Sequence, residues 1–298
     1  MLQVTNLTKT FKDTVAVDNI SFNVEPGKIF GLLGPNGAGK TTTIRMILNI
    51  IRPSAGTILF EGKSFTKEFF NYVGYLPEER GLYKKSKVLD TILYFASLKN
   101  MDKKSAVDES IKWLKKLEIE NYKGKKIEEL SKGNQQKVQF IASVVHNPKL
   151  LIFDEPFSGF DPIIQQIIKE ILLSFVNSGK IIILSTHQMD TAEKLCSDIF
   201  LINKGKEVCS GSLSQIKKQS GSNNIRIEFE GDSSVLNSSP FIAHADCYSG
   251  YAEIQLKDNI LPQDFLRSII DKVAVTQFSI IEPTLNKIFI DAIKRSSI

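Results

Sequence analysis

The sequence contains no apolar stretch that approaches the roughly 18 residues a membrane-spanning helix needs. It has only three cysteines, Cys196, Cys209 and Cys247, whose spacing matches no metal site. So sparse and odd a set argues against a disulfide framework and favours a reducing compartment. The opening residues Leu2-Gln3-Val4 have a strand-like pattern, so we expect no signal peptide.

Composition and charge are those of an ordinary globular protein. Of the 298 residues, 42% are hydrophobic and 24% are charged, which is enough apolar surface for a sizeable core. The net charge of +5 is mild, and lysines cluster at 84–87, 112–116 and 123–126. Such runs usually form solvated faces. A basic face toward an anionic membrane is the first functional alternative, and nucleic-acid contact is the second.

The hydrophobic pattern predicts an α/β fold. Apolar residues alternate over residues 2–24, as in antiparallel strands, and residues 88–122 have helical periodicity throughout. From Lys149 to Ile202, short apolar strands alternate with helical segments. That alternation is typical of a mostly parallel central sheet covered by helices.

Turn-forming residues at Gly221-Ser222-Asn223-Asn224 predict a domain boundary. Beyond them, short alternating strands and helical segments at 262–271 and 283–294 predict a small α+β appendage. We therefore expect a first domain of residues 1–221 and an accessory domain of residues 222–298.

Residues 34–41 read Gly-Pro-Asn-Gly-Ala-Gly-Lys-Thr and lie between a predicted strand and a predicted helix. In that context the pattern predicts a phosphate-binding loop, because glycines let backbone N–H groups approach phosphate and the helix directs its positive end toward it. Lys40 is placed to reach the β- and γ-phosphates, and the Thr41 hydroxyl to ligate Mg²⁺. The predicted nucleotide-binding residues of this segment are Gly34, Asn36, Gly37, Gly39, Lys40, Thr41 and Thr42.

A second motif follows the apolar run 150–153, where Asp154 and Glu155 stand at the predicted strand's carboxyl end. Ligands bind at this end of the strands in open α/β sheets. Asp154 suits an outer partner of Mg²⁺, and Glu155 could polarise an attacking water. The alternative is an Asp that caps a helix followed by a first-turn Glu, with no ligand.

A third motif, Leu130-Ser131-Lys132-Gly133, opens a predicted helix. A Ser-x-Gly turn at a helix start offers a hydroxyl and backbone N–H groups to an anion. The alternative is a capped helix start with nothing bound. His146 and His244 lie in no motif, and we expect them to be surface or packing residues.

The order of these three motifs, followed by Ser185-Thr186-His187, resembles the nucleotide-binding domain of ATP-binding-cassette (ABC) proteins over residues 2–215. The resemblance implies a P-loop ABC ATPase domain. It would have a RecA-like core, an antiparallel β subdomain and a helical subdomain at about residues 84–146. It also implies ATP and Mg²⁺ as ligands, with Phe11 stacked on adenine, Glu155 as general base and His187 as sensor of the γ-phosphate.

In proteins of this kind each nucleotide site is built from two protomers. The resemblance implies that Ser131, Gly133 and Gln135 contact the nucleotide bound by the opposite protomer, and that Asp161 lies at the dimer interface. A chain with one phosphate loop and one Ser-x-Gly turn is therefore expected to act as a homodimer or as half of a heterodimer.

The sequence departs from the family pattern at three positions. Lys132 stands where the family usually has Gly, and Asn134 where it has Gln. Glu78 replaces a Gln that links Mg²⁺ to the membrane partner, so the expected metal ligands are Thr41, Asp154 and Glu78. A carboxylate can ligate Mg²⁺ but cannot donate a hydrogen bond unless protonated, so metal affinity and coupling could differ.

Residues 76–83 and the C-terminal appendage resemble one subgroup, the ATP-binding subunits of bacterial ABC-2-type exporters, which include sodium-efflux and drug-resistance relatives. This resemblance implies an ATP-hydrolysing subunit that drives a separate integral membrane permease, with contact near Glu78, Arg80 and Tyr83. Such a subunit would be cytoplasmic and peripheral on the inner face of the membrane, with no nucleic acid expected.

Two other functions follow from the same motifs. One is a soluble ABC ATPase that acts on nucleic acid or ribosomes, but such proteins resemble either two cassettes in one chain or a cassette interrupted by a long coiled coil. Here Lys40 and Ser131 are 91 positions apart, which leaves no room for a coiled coil.

The second alternative function is a non-catalytic regulatory cassette. The intact Lys40, Asp154 and Glu155 argue against it. The cargo is not written in the sequence.

Overall fold

The computed structural model describes residues 1–79, 81–219, 224–231, 236, 239–257 and 259–296. Contacts within the chain divide it into two compact units, Met1–Ser212 and Leu213–Ile298. The division precedes the boundary predicted at 221/222, and residues 220–223 lie outside the described residues, as does Arg80. None of the helices in the described part of the chain is long and apolar enough to cross a membrane.

The first unit contains nine strands and six α-helices among its described residues. Its strands are β1 (Leu2–Phe11), β2 (Thr14–Val24), β3 (Lys28–Leu33), β4 (Ala55–Phe60), β5 (Val73–Leu76), β6 (Leu150–Asp154), β7 (Ile181–Thr186), β8 (Asp198–Asn203) and β9 (Lys206–Ser212). Its helices are α1 (Lys40–Ile47), α2 (Val88–Ser97), α3 (Lys103–Lys116), α4 (Lys132–Val144), α5 (Pro162–Asn177) and α6 (Met189–Leu195). Short 3₁₀ turns lie at Lys67–Tyr72, Glu120–Tyr122 and Ile127–Glu129.

The central sheet has six strands in the order β5-β6-β7-β3-β8-β9. The first five pair in parallel, and β9 returns antiparallel to β8. Every residue of β6 and β7 is buried. Strands buried on both faces read as continuous apolar runs, which is why these two were recognisable in the sequence. The predicted parallel α/β core is confirmed.

A separate antiparallel sheet, β2-β1-β4, packs into the same apolar core. Alternate residues of β1, including Leu2 and Val4, are buried, and they pair with Val24 and Phe22 of β2. This is the antiparallel β subdomain that the family resemblance implies. The pairing of β1 with β2 has register shifts. The carbonyl oxygen of Ala16, in β2, lies close to Gly39 of the phosphate loop.

The periodicity of residues 88–122 predicts helix throughout this region, but the structure interrupts it. Helix α2 ends at Ser97, and Asn100 adopts a left-handed backbone conformation with φ of 59°. The Asp102 side chain then accepts a hydrogen bond from the Ser105 N–H and caps the start of α3. An Asp at the N-cap is a strong signal for the start of a new helix, and here it overrides the apolar periodicity that continues across it.

The second unit begins with helix α7 (Leu213–Gln219) and contains an antiparallel sheet of four strands. These are β10 (Asn224–Glu230), β11 (Ile242–Cys247), β12 (Tyr251–Leu256) and β13 (Ala274–Ile281), in the order β11-β12-β10-β13. Helices α8 (Pro262–Ile269) and α9 (Leu285–Ser296) complete it. Alternate residues of β10 and β12 form an apolar core with Phe265 and Ile269 of α8. The α+β prediction for this part is confirmed.

Glycine at position 74 is required by a close approach of backbone. A Cβ at Gly74 would lie 2.2 Å from the Ser143 carbonyl oxygen and 2.8 Å from Pro148 Cγ. Strand β5 therefore packs against the end of α4 with no room for a side chain. Phe140 of α4 stacks on Phe153 of β6, with centroids 5.6 Å apart, and fixes the same helix against the sheet.

We predict that Gly74→Ala lowers the free energy of unfolding of the first unit by about 1–3 kcal/mol, because the added methyl must displace backbone. Urea unfolding followed by the fluorescence of Trp113, the single tryptophan, measures it. Gly124→Ala is the matched control, since a Cβ there meets no atom within 4 Å. Equal stability of the two variants would contradict the packing argument.

His146 is a packing residue, as expected. Its Nε2 lies 3.0 Å from the Val73 carbonyl oxygen, and its Nδ1 is buried with no hydrogen-bond partner among the described residues. Burial lowers the pKa of His146 to about 4 from its ordinary 6.5. Between these values the unfolded chain binds a proton that the folded chain does not, so stability falls as the pH is lowered.

We predict that the unfolding free energy of the first unit drops by about 2 kcal/mol between pH 7 and pH 5 through this residue. In His146→Gln, which cannot titrate, that part of the loss should be absent in the same fluorescence assay. His244→Gln, at a half-exposed histidine of the second unit, should keep the wild-type pH dependence. An unchanged slope in His146→Gln would show that other groups cause the loss.

Candidate functional site

Four adjacent parallel strands bring the phosphate loop, Glu78, the acid pair and the Ser185-Thr186-His187 segment to one edge of the sheet. In sheet order, β5 is followed by Glu78, β6 ends in Asp154, β7 ends in Thr186, and β3 leads into the phosphate loop. The register aligns Asp154 with Ser185 and Leu33 with Thr186. Residues far apart in sequence thus meet at the carboxyl edge, where ligands bind in such sheets.

The phosphate loop has the backbone that its glycines predict. Gly34, Gly37 and Gly39 have φ of 154°, 77° and 111°. A Cβ at Gly34 would lie 2.2 Å from the Ile202 carbonyl oxygen, so the loop runs directly against β8. The loop leads into α1 with Gly39 at the N-cap, which leaves the first N–H groups of the helix facing the loop.

Lys40, at the first turn of α1, is buried and bound by the loop itself. Its Nζ donates hydrogen bonds to the carbonyl oxygens of Gly34 at 2.7 Å and Pro35 at 3.1 Å. Burial lowers the pKa of Lys40, and the negative charges of Glu155, Asp154 and Glu78 act against this. The ammonium is therefore held at the base of the loop beside three carboxylates, in the right place to meet an incoming polyphosphate.

Asp154 is 2% exposed and connects β6 to β7 and to helix α1. One carboxylate oxygen accepts a hydrogen bond from Ser185 Oγ at 2.7 Å, and the other accepts one from Thr41 Oγ1 at 3.2 Å. Burial raises the pKa of Asp154, and these two hydrogen bonds oppose the rise. The alternative prediction, an Asp capping a helix, is wrong here because residues 155–159 form turns and α5 starts at Pro162.

Glu155 is 5% exposed and adopts a left-handed backbone conformation, with φ of 51°. Its Oε1 accepts hydrogen bonds from the His187 N–H at 2.9 Å and lies 2.6 Å from His187 Nδ1. Its Oε2 accepts one from Thr186 Oγ1 at 2.9 Å. The two predicted catalytic residues, Glu155 and His187, are thus brought into direct contact.

A cavity of about 540 Å³ opens in front of these groups. It is lined by most of the predicted ligands and by the β1–β2 hairpin and the β8–β9 turn: Thr14, Val15, Ala16, Asn36, Gly37, Ala38, Gly39, Lys40, Thr41, Thr42, Glu78, Asp154, Glu155, Lys204 and Gly205. Sequence reasoning missed Lys204 and the hairpin residues, because nothing in their local pattern sets them apart from ordinary turns.

Two further predicted ligands, Phe11 and Glu78, come from other parts of the chain. Phe11 ends β1, is 47% exposed and pairs in register with Thr14, which lines the cavity. The Phe11 ring is therefore available near the cavity's rim, and Lys9 Nζ lies 4.9 Å from its centroid. Glu78 lines the cavity directly, so its carboxylate joins that of Asp154.

The residues expected to serve a second protomer are not among those lining the cavity in the described part of the chain. Ser131 caps α4, and its Oγ accepts a hydrogen bond from the Asn134 N–H. Gly133 lies in the first turn of that helix. The Gln135 side chain donates to the carbonyl oxygens of Ile127 and Leu130. This local geometry also fits the alternative of a simple capped start.

Asp161 holds a similar position at another helix. Its side chain caps α5 by accepting hydrogen bonds from the N–H groups of Ile163 and Ile164. It is exposed and does not line the cavity. The role expected for it at a dimer interface stays a prediction.

The hydroxyls of Ser185 and Thr186 are the functional groups that sequence reasoning passed over. They were read only as part of the approach to His187, yet each donates to one of the two adjacent carboxylates. The signal was present in the alignment of two parallel strand ends, one carrying two acids and the other two hydroxyls. Strand register is not readable from one sequence, so the pairing could not be assigned.

The oxygen ligands at this edge fit Mg²⁺. Thr41 Oγ1 and an Asp154 carboxylate oxygen lie 3.2 Å apart, with Glu78 on the same cavity. Mg²⁺ prefers a few hydroxyl and carboxylate ligands completed by phosphate oxygens and water. No cluster of three or more His, Cys, Asp and Glu side chains able to hold a metal alone exists among the described residues.

Comparison with known proteins agrees with this site. Residues 17–158 match the family described as ABC transporter, and residues 211–293 match the C-terminal domain of DrrA1-3-like ATP-binding proteins. Among solved structures, an ATP-binding subunit of an ABC transporter has a TM-score of 0.70 at 28% identity, covering 74% of this chain and 93% of that one. The dimeric ABC transporter cassette MJ0796, at 22% identity, shares the fold, with a TM-score of 0.67 over 72% of this chain and 99% of its own.

Curated relatives match the chain at higher sequence identity. The Nod factor export ATP-binding protein I of Cupriavidus metallidurans is 34% identical over 214 residues, 71% of each chain. The ABC transporter ATP-binding protein YhaQ of Bacillus subtilis is 43% identical over 293 residues, 98% of each chain. With a relative of this identity along nearly its whole length, the chain belongs to the family of ABC transporter ATP-binding proteins.

Proposed function

We propose that this chain is the ATP-hydrolysing subunit of an ABC-2-type exporter, which dimerises on ATP and drives a separate membrane permease. The observation that carries the proposal is the contact between Glu155 and His187 beside the phosphate loop. A cavity that only bound nucleotide would not need a buried carboxylate and an imidazole placed together next to Lys40.

Phosphate binding would use groups that the loop already orients. Residues 36–41 line the cavity, and the hydrogen bonds of the Lys40 ammonium to Gly34 and Pro35 would give way to phosphate oxygens, with backbone N–H groups of the loop adding contacts. Thr41, Asp154 and Glu78 would hold Mg²⁺, which when bound neutralises charge on the phosphate oxygens.

Glu155 would act as general base toward the attacking water. Its carboxylate is fixed from one side by His187 and Thr186, and it lines the cavity on the other. A base must stand within hydrogen-bond reach of the water it activates, and a buried, anchored carboxylate meets that need without reorganising. The half-exposed His187 ring, beside the cavity, would contact the γ-phosphate.

Dimerisation would complete the site. Ser131, Gly133, Gln135 and Asp161 head two helices away from the cavity lining. In the proposed dimer these helix starts would face the nucleotide of the other protomer, where their N–H groups favour an anion. Binding of ATP would then join two chains, either identical or paired with a second ATP-binding subunit.

A mostly apolar groove of about 390 Å³ would receive the permease. It lies between α2, α4 and β5 and is lined by Val73, Tyr75, Pro77, Gly81, Leu82, Phe95, Leu98, Lys99, Gln139, Ala142, Ser143 and His146. Tyr83, at 62% exposure, lies beside Tyr94 next to it. Pro77 lines this groove and Glu78 lines the nucleotide cavity, so neighbouring residues face the two sites.

The direction of transport, which we propose is export, is inferred from relatives of this chain. The Nod factor export proteins and the DrrA1-3-like C-terminal domain support an exporter. In this proposal the chain works at the cytoplasmic face of the membrane, held there by the permease, and makes no contact with nucleic acid.

We predict that Glu155→Gln lowers the ATPase rate by about 10²–10⁴-fold, because the amide cannot accept the proton of water. Nucleotide binding should persist, and with ATP and Mg²⁺ the variant should elute as a stable dimer in size-exclusion chromatography with light scattering. Glu170→Gln, at an exposed position of α5, should hydrolyse ATP like the wild type. A wild-type rate in Glu155→Gln would remove Glu155 as the base, and failure of the wild type to hydrolyse ATP would overturn the proposal.

We predict that Leu98→Asp abolishes recovery of the permease, because a charge in the apolar groove opposes docking. The Glu155→Gln chain, with and without this change, is purified with ATP from detergent-solubilised native membranes, and co-purifying proteins are identified by mass spectrometry. Leu173→Asp, at another exposed leucine, in α5, is the matched control. A stoichiometric polytopic membrane protein should accompany the control and be lost with Leu98→Asp. Recovery of ribosomes or nucleic acid instead would favour a soluble ABC ATPase.

A further inference from the structure

We infer that Thr186 is a positioning residue that holds the Glu155 carboxylate in the orientation needed for hydrolysis. The inference rests on the proposed function, in which Glu155 is the general base. Thr186 is 1% exposed and ends β7, the strand next to the one that Glu155 follows. Its Oγ1 donates a hydrogen bond of 2.9 Å to Glu155 Oε2.

The Thr186 hydroxyl is itself fixed in direction. Its oxygen accepts a hydrogen bond from the Gln188 N–H at 3.1 Å. A hydroxyl has one proton to donate. Because one of its two lone pairs accepts the Gln188 N–H, the proton points to Glu155. The hydrogen bond to the carboxylate is therefore set by the backbone turn after β7 and does not depend on a freely rotating group.

The two oxygens of Glu155 are held by different kinds of anchor. Oε1 is held by His187, whose side chain is 48% exposed and, in the proposed function, turns to the γ-phosphate. Oε2 is held by Thr186, which is buried and does not line the cavity, so in the proposed function it makes no contact with nucleotide. When the imidazole engages phosphate, Thr186 and the His187 N–H keep the carboxylate in place.

Loss of the Thr186 hydroxyl would free one side of the Glu155 carboxylate. Without the hydrogen bond to Oε2 the side chain can rotate away from the position that the attacking water requires, which lowers the rate of hydrolysis. This effect requires no change in ATP affinity, because Thr186 does not line the cavity.

The test compares the ATPase activity of the full chain with that of Thr186→Val, which has nearly the same shape, and of Thr186→Ser, which keeps the hydroxyl. We expect Thr186→Val to lose roughly 10- to 100-fold in kcat, the effect of a hydrogen bond to a charged group, with KM for ATP nearly unchanged. Thr186→Ser should restore the rate. Thr186→Ala provides a second variant with the same expectation.

Thr91→Val is the matched control. Thr91 is also buried, and its Oγ1 donates to the Lys87 carbonyl oxygen in α2, away from the site. It should keep the wild-type kcat. ATP-dependent thermal stabilisation of each variant shows that the site is folded.

Two results would overturn the inference: a wild-type kcat in Thr186→Val, or an equal defect in Thr186→Ser, which would mean that side-chain shape and not the hydroxyl matters. If Glu155→Gln is inactive while Thr186→Val is normal, the proposed function stands and only this inference fails. If Glu155→Gln is fully active, the base itself is misassigned.

Discussion

The site depends on one buried carboxylate. Asp154 is almost completely removed from water, and a carboxylate in such a place is tolerated only when its oxygens are hydrogen-bonded. Ser185 from β7 and Thr41 from α1 supply those bonds, so Asp154 ties together the ends of β6 and β7 and the first turn of α1. The phosphate loop and the acid pair thereby keep a fixed relation before any ligand arrives, which is the preorganisation that phosphoryl transfer requires.

The backbone of Glu155, the residue after Asp154, is strained. A left-handed backbone at a residue other than glycine costs about 1 kcal/mol or more, and it persists only where surrounding contacts determine it. The three hydrogen bonds from Thr186 and His187 are such contacts. The turn aims the side chain back across the end of β7, whereas a relaxed strand or helix would carry it away. Strain and anchoring together favour a single position of the carboxylate, which suits a group that must meet one water.

Local motifs were readable from the sequence because their chemistry is contiguous. The phosphate loop, the acids after β6 and most strands of the parallel sheet followed from glycine spacing and buried apolar runs. The separate roles of Glu155 and His187 came from the family resemblance, but their contact was not predicted, since 32 positions separate them. The hydroxyl partners needed strand register, which one sequence does not encode. The edge strands β9 and β11 were missed because half-exposed, polar strands lack an apolar signal, and the Asp102 cap broke a helical period that looked continuous.

Helix α4 offers a physical link between the two surfaces that the proposed function uses. Ser131 caps its start, and farther along the helix the Gln139 side chain donates hydrogen bonds to the carbonyl oxygens of Pro77 and Glu79. Those residues flank Glu78, which faces the nucleotide cavity, while Pro77 and Gln139 line the groove. A helix moves as a rigid unit, so a displacement of Ser131 toward a second nucleotide would carry the 77–79 segment with it. Coupling between ATP and the permease then needs no long pathway, because one helix and two hydrogen bonds span the distance.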